Sequence, residues 1–111
     1  MKLNGKLTLG ENAADNGGVR LAYMALMDSH AGHVLEKTDG FTPQQQFFLG
    51  YAQIWCQNST EQSARVRAAT DPHSPGEFRV NGVLQNMPEF SEAFSCKLGE
   101  PMVAAQPCRV W

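Results

Sequence analysis

The segment Thr42-Pro43-Gln44-Gln45-Gln46-Phe47-Phe48-Leu49-Gly50-Tyr51-Ala52-Gln53-Ile54-Trp55-Cys56-Gln57-Asn58 decides what kind of fold this chain adopts. Thr42 suits an N-cap, because its hydroxyl can accept from a free amide of the first turn, and Gln46 follows four residues later. Pro43 suits the first helical position, where no amide donor is needed. Phe47, Phe48, Tyr51, Ala52, Ile54 and Trp55 then give a broad apolar face, so 43–58 is expected to be the most buried helix. The uncharged run 40–60 is broken by glutamines and asparagine, and it fails the requirement of ~20 mainly apolar residues for a membrane span.

Upstream of that helix, 31–41 is polar, contains glycine and ends in Asp39-Gly40, which reads as a connecting loop. Before it, Ala14, Leu21, Ala22, Ala25 and Leu26 suit a helix over 11–29. Gly17-Gly18 interrupts this pattern. Each glycine costs ~1 kcal/mol relative to Ala inside a helix, so either the helix breaks there or something packs very close to it. Residues 1–10 read as an extended or looping lead-in, with Asn4-Gly5 as a turn dipeptide. Downstream, a shorter helix is expected from 59 or 60 to 69, opening with Glu61 and closing near Arg65 and Arg67. Residues 70–76 are dense in turn formers. Val80, Val83, Leu84 and Met87 recur at helical spacing around Asn81-Gly82, Pro88 starts a last helix over 88–94, and 99–111 is a tail without clear period. The expected fold class is therefore mainly α.

The chain has 111 residues, the size of one domain, and 42% hydrophobic with 18% charged residues is a globular composition. A net charge of -2 provides no electrostatic footprint for a nucleic-acid backbone, which excludes that partner class. The first residues have no apolar core of the kind a secretory leader carries. Cys56, Cys96 and Cys108 are odd in number and form no CxxC pair. They are either idle thiols, or at least one has its partner outside this sequence.

Four groups of side chains could carry chemistry. Glu11 and Asp15, four residues apart, share one helix face. They read either as an acidic first turn favoured by the helix dipole or as a metal-ligating carboxylate with a supporting carboxylate one turn along. His73 and Arg79 bracket a Pro- and Gly-rich turn; such a His could stabilise an oxyanion, and such an Arg could hold a substrate carbonyl, or both could be structural. Ile54 and Trp55 are core residues by default, with a substrate pocket as the other reading. His30 and His33 sit in a polar loop with no carboxylate between them, a poorly preorganised metal site.

Together, the strings 4–18 (Asn4-Gly5-Lys6-Leu7-Thr8-Leu9-Gly10-Glu11-Asn12-Ala13-Ala14-Asp15-Asn16-Gly17-Gly18), 71–79 (Asp71-Pro72-His73-Ser74-Pro75-Gly76-Glu77-Phe78-Arg79) and Cys108-Arg109-Val110-Trp111 closely resemble the neprilysin and endothelin-converting-enzyme family of thermolysin-like zinc metallopeptidases. The resemblance covers essentially the whole chain, in order. It implies that Glu11 is the third zinc ligand and that Asp15 orients a zinc-binding His. It further implies that His73 stabilises the tetrahedral transition state, that Arg79 hydrogen-bonds the substrate backbone, and that Ile54 and Trp55 help line the pocket for the side chain after the scissile bond. With Gly17-Gly18 inside the ligand helix, it favours close packing over a break.

The family chemistry also needs a His-Glu-x-x-His helix and a substrate-anchoring Asn-Ala-Tyr segment, and neither string occurs in the sequence. The expectation is therefore that 1–111 is the C-terminal segment of the catalytic domain of a zinc endopeptidase acting on peptides and small proteins. Its partners would be the upstream part of the same polypeptide and a peptide substrate. The segment alone is expected neither to bind zinc tightly nor to cleave peptides. The resemblance implies bridges from the three cysteines to upstream cysteines and hence an extracytoplasmic parent protein, secreted, periplasmic or at the cell surface. An aromatic face left without its upstream partner would drive self-association. The alternative is a non-catalytic helical binding module that retains the family scaffold.

Overall fold

A computed structural model describes residues 2–110. Five helices follow one another: α1 (Gly5–Ser29), α2 (Pro43–Ile54), α3 (Glu61–Thr70), α4 (Gly76–Leu84) and α5 (Pro88–Ala93). Among the described residues there is no strand beyond an isolated bridge between Thr38 and Phe41. The fold is mainly α, as the sequence predicts.

α1 starts earlier than its apolar period indicates. Residues 5–10, expected to be extended or looping, are helical because Asn4 acts as N-cap, its Oδ1 accepting from the amides of Lys6 at 3.1 Å and Leu7 at 3.3 Å. The short amide side chain that makes Asn-Gly a turn dipeptide also suits it to hold the orphan donors of a helix start. The helix then runs through Gly17-Gly18 without a break; Gly17 is buried and Gly18 lies open.

α2 opens with Thr42 and Pro43 as expected, but the reciprocal cap partner is Gln45. Gln45 N–H donates to Thr42 Oγ1 at 3.2 Å, and Thr42 N–H donates to Gln45 Oε1 at 3.0 Å. Gln46 instead donates to the carbonyls of Thr38 and Phe41, closing the preceding loop. The helix ends at Ile54, short of the expected 58, with Trp55 as C-cap. Its burial is one-sided: Phe48 is 1% exposed, whereas Ile54 is 72% exposed, so 43–58 is not uniformly the most buried stretch.

The buried core is small, formed by Val19, Phe48, Val83, Leu84 and Met87, with Tyr23, Phe47, Phe90 and Phe94 packed around it. Phe48 anchors this cluster through edge-on contacts with Phe47 and Phe90 and a stacked contact with Tyr23. α1 packs against α4, and α2 against α5. α3 buries no residue and is held by its Thr60 cap and by the i,i+4 pairs Glu61–Arg65 and Arg67–Asp71. α4 begins at Gly76 and is not broken by Asn81-Gly82. The tail returns over α4, where Ala104 N–H donates to the Gln85 carbonyl and Cys108 N–H to Asn86 Oδ1, both at 3.0 Å. Trp111, which ends the third family string, lies outside the described residues.

Candidate functional site

The pairing of α1 with α4 brings the two distant candidate strings together. From α1, Glu11, Asn12, Asp15 and Asn16 project toward the 71–75 turn and α4. Ser74, only 5% exposed, donates through Oγ to Asn12 Oδ1 at 2.7 Å, and Asn12 Nδ2 donates to Thr8 Oγ1 at 3.2 Å. One turn further along, Asn86 Nδ2 donates to Asn16 Oδ1 at 3.3 Å. These amide and hydroxyl bonds fix how the turn sits on the helix, since a buried polar group left unmatched costs about 1–3 kcal/mol.

Arg79 and Asp15 form a two-pronged ion pair: Nε donates to Oδ2 and Nη2 to Oδ1, both at 2.6 Å. Both side chains are 14% exposed, and this carboxylate holds the guanidinium more basic than usual. The guanidinium carbon lies 4.0 Å from the centre of the Trp55 ring, and Tyr51 Oη donates to the Arg79 carbonyl at 2.9 Å. Burial, and then the charge of Asp15, push the Tyr51 phenol up to about 12.

His73 lies between two carboxylates. Its Nδ1 is 2.8 Å from Asp71 Oδ1, which also accepts from the His73 backbone N–H at 2.9 Å, and its Nε2 is 3.3 Å from Glu11 Oε2. Those bonds from the His73 backbone and ring bring the Asp71 carboxyl down to about 2. An acceptor-only Asp71 keeps a proton on Nδ1 and leaves Nε2 to face Glu11; an imidazolium donates from both nitrogens.

Glu11, Asp15, His73 and Arg79 are thus in one connected set. Trp55 joins it through Arg79, while Ile54 does not: Trp55 borders a cavity of about 230 Å³ with His73 and Gly76, and Ile54 borders a separate recess with Ala14, Asp15, Gly18 and Tyr51. Sequence reading missed Asp71, Asn12 and Tyr51. The Asp-Pro-His spacing was a usable signal for Asp71, because an Asp two residues before a His can close an Asx-type turn onto it. Nothing in the pattern singled out Tyr51, which reads as one more aromatic on α2.

Zinc in an enzyme takes three protein ligands and leaves one position open. Among the described residues no three His, Cys, Asp or Glu side chains are gathered to hold a metal. Both oxygens of Asp15 are engaged by Arg79, Asp71 is engaged by His73, and Cys56, Cys96 and Cys108 are separate free thiols. The donor set therefore does not fit a complete zinc site; what it offers is one carboxylate, Glu11, backed by a network.

The sequence profile of Peptidase family M13 matches residues 1–110. The chain belongs to this family. Among M13 relatives it is 47% identical to neprilysin-1 of Caenorhabditis elegans, over 100% of this chain and 15% of that protein. It is 50% identical to human endothelin-converting enzyme 1, over 98% of this chain and 14% of that protein. A zinc metalloprotease of Mycobacterium tuberculosis solved with an inhibitor superposes with a TM-score of 0.91 at 39% identity, covering 98% of this chain and 17% of that one. The chain thus spans about one-seventh of the length of the curated M13 relatives it matches. Membership makes it part of a zinc metallopeptidase family. No helix among the described residues is long and apolar enough to cross a membrane.

Proposed function

We propose that residues 1–111 form the C-terminal part of the catalytic domain of a zinc metalloendopeptidase that hydrolyses peptides and small proteins. The observation that carries this reading is the placement of His73 Nε2 at 3.3 Å from Glu11 Oε2, beside the Asp15–Arg79 pair. In this reading Glu11 is the third protein ligand, the two imidazoles coming from the upstream part of the polypeptide. Zinc held by Glu11 and the two upstream imidazoles would supply Lewis acidity toward a substrate carbonyl. Asp15 orients one imidazole while it holds Arg79. Arg79, with Nε and one Nη2 hydrogen committed to Asp15, donates from its remaining edge to a substrate backbone carbonyl. As an imidazolium, His73 donates from Nδ1 to Asp71 and from Nε2 to the oxyanion that develops at the attacked carbonyl. Trp55 borders the pocket for the residue that follows the scissile bond, whereas Ile54 borders the separate recess beside Asp15.

The same reading places the parent protein outside the cytoplasm, with Cys56, Cys96 and Cys108 bridged to upstream cysteines. Its test is metal analysis and a peptide-hydrolysis assay on the purified chain. The expected result is neither stoichiometric zinc nor chelator-sensitive cleavage, and either one contradicts the division of the site between this segment and another. An in-frame His-Glu-x-x-His in the upstream coding sequence supports the reading, and a start codon with no such motif favours a non-catalytic module.

A further inference from the structure

We infer that Trp55 is a positioning residue for Arg79, acting on turnover through the guanidinium and independently of any pocket it borders. The inference rests on the reading of Arg79 as the donor to the substrate carbonyl. The two bonds to Asp15 fix the guanidinium within its own plane, but they leave it free to tilt about the axis that joins the two groups. The guanidinium carbon sits over the Trp55 ring, 4.0 Å from its centre, so the ring occupies space that such a tilt would sweep. Arg79 is 14% exposed, so this contact acts on a partly desolvated cation, where such interactions are strongest.

Trp55 is itself held at its backbone. It caps α2, its backbone N–H donating to the carbonyls of Ala52 and Gln53. Gly76, the first residue of α4, lies so close that a Cβ there would come within 2.9 Å of the Trp55 carbonyl oxygen. Tyr51, one turn before Trp55, fixes the Arg79 backbone through its carbonyl. The end of α2 therefore grips Arg79 at two points, main chain and side chain.

A pocket wall and a positioning residue differ in one measurable respect. A wall matters in proportion to the substrate side chain it touches, whereas a positioned guanidinium serves every substrate alike. The experiment compares Trp55→Leu and Trp55→Phe with the parent in the complete enzyme, using two peptides that differ only in having Gly or Phe after the scissile bond. It repeats Trp55→Leu in an Arg79→Met background and follows zinc content throughout. Trp55→Leu is expected to lower kcat/KM about tenfold on both peptides, Trp55→Phe to recover most of it, and the loss to vanish when Arg79 is already Met. A loss confined to the Phe peptide, or one of equal size without Arg79, overturns the inference and leaves the peptidase reading intact. If Trp55→Leu loses zinc, Trp55→Phe decides alone: an equal loss of about threefold on both peptides supports the inference, and no loss on the Gly peptide overturns it. A complete parent enzyme without peptidase activity overturns both readings.

Discussion

Asp15 and Arg79, 64 residues apart in sequence, meet through two hydrogen bonds of 2.6 Å each. This pair locks α1 to α4 where the chain holds its candidate ligand and its candidate substrate donor. Asp15→Asn removes the charge but keeps the shape, leaving a largely enclosed guanidinium uncompensated. It is expected to destabilise the chain by about 2–3 kcal/mol in urea unfolding. An unchanged midpoint would mean that the pair is solvated and contributes little.

Asp71 gives the turn an acid limit. Its carboxyl lies at about 2 in the folded chain against an ordinary 3.8, so its bonds to His73 contribute stability above pH 3.8. That contribution is lost as pH falls from there through about 2. Asp71→Asn is expected to flatten stability against pH over this window, as followed by circular dichroism. In the complete enzyme it is expected to lower turnover with zinc retained, because the His73 ring loses the charged, acceptor-only partner that keeps a proton on Nδ1. Unaltered turnover would remove Asp71 from the site.

Tyr51 sets a corresponding limit in base. A phenol pushed up to about 12 stays protonated in the folded chain while the unfolded chain ionises near 10, so its stabilisation is full below pH 10 and is lost as pH rises through 12. Ultraviolet titration of tyrosinate should show this group ionising late, and the late component should disappear in Tyr51→Phe. Ionisation near pH 10 would contradict the burial of its hydroxyl against the Arg79 carbonyl.

Two glycines should respond in opposite directions. Gly76→Ala forces a Cβ against the Trp55 backbone and is expected to cost about 1–3 kcal/mol. Gly18→Ala meets nothing within 4 Å and should stabilise the isolated chain by up to about 1 kcal/mol through helix propensity. Gly18 and Ala14 border the open recess at Asp15, the side from which an imidazole oriented by Asp15 would approach. Gly18→Leu is therefore expected to abolish activity of the complete enzyme while leaving the isolated chain folded. Full activity would exclude that approach.

How much of this was legible follows from the range of each signal. Local signals read well: Thr42 and Pro43 started α2, the helix expected from 59 or 60 begins at Glu61 and Pro88 started α5, because a helix start needs only its own few residues. Asn4-Gly5 misled because the same side chain serves a turn and a helix start. The end of α2 at Ile54 was invisible because the apolar period runs on through Trp55, which leaves the helix to lie under Arg79. The candidate site was legible as residues, through the family strings, and not as geometry. The Asp-Pro-His spacing hints that Asp71 holds His73, but nothing in the strings states that Asn12 receives Ser74.

The central claim, that Glu11 is a zinc ligand and His73 is not, is tested most directly by zinc content in Glu11→Gln and His73→Ala variants of the complete enzyme. The account predicts that Glu11→Gln loses the metal and with it activity, and that His73→Ala keeps stoichiometric zinc while turning over more slowly. Equal zinc content in the two variants would contradict it.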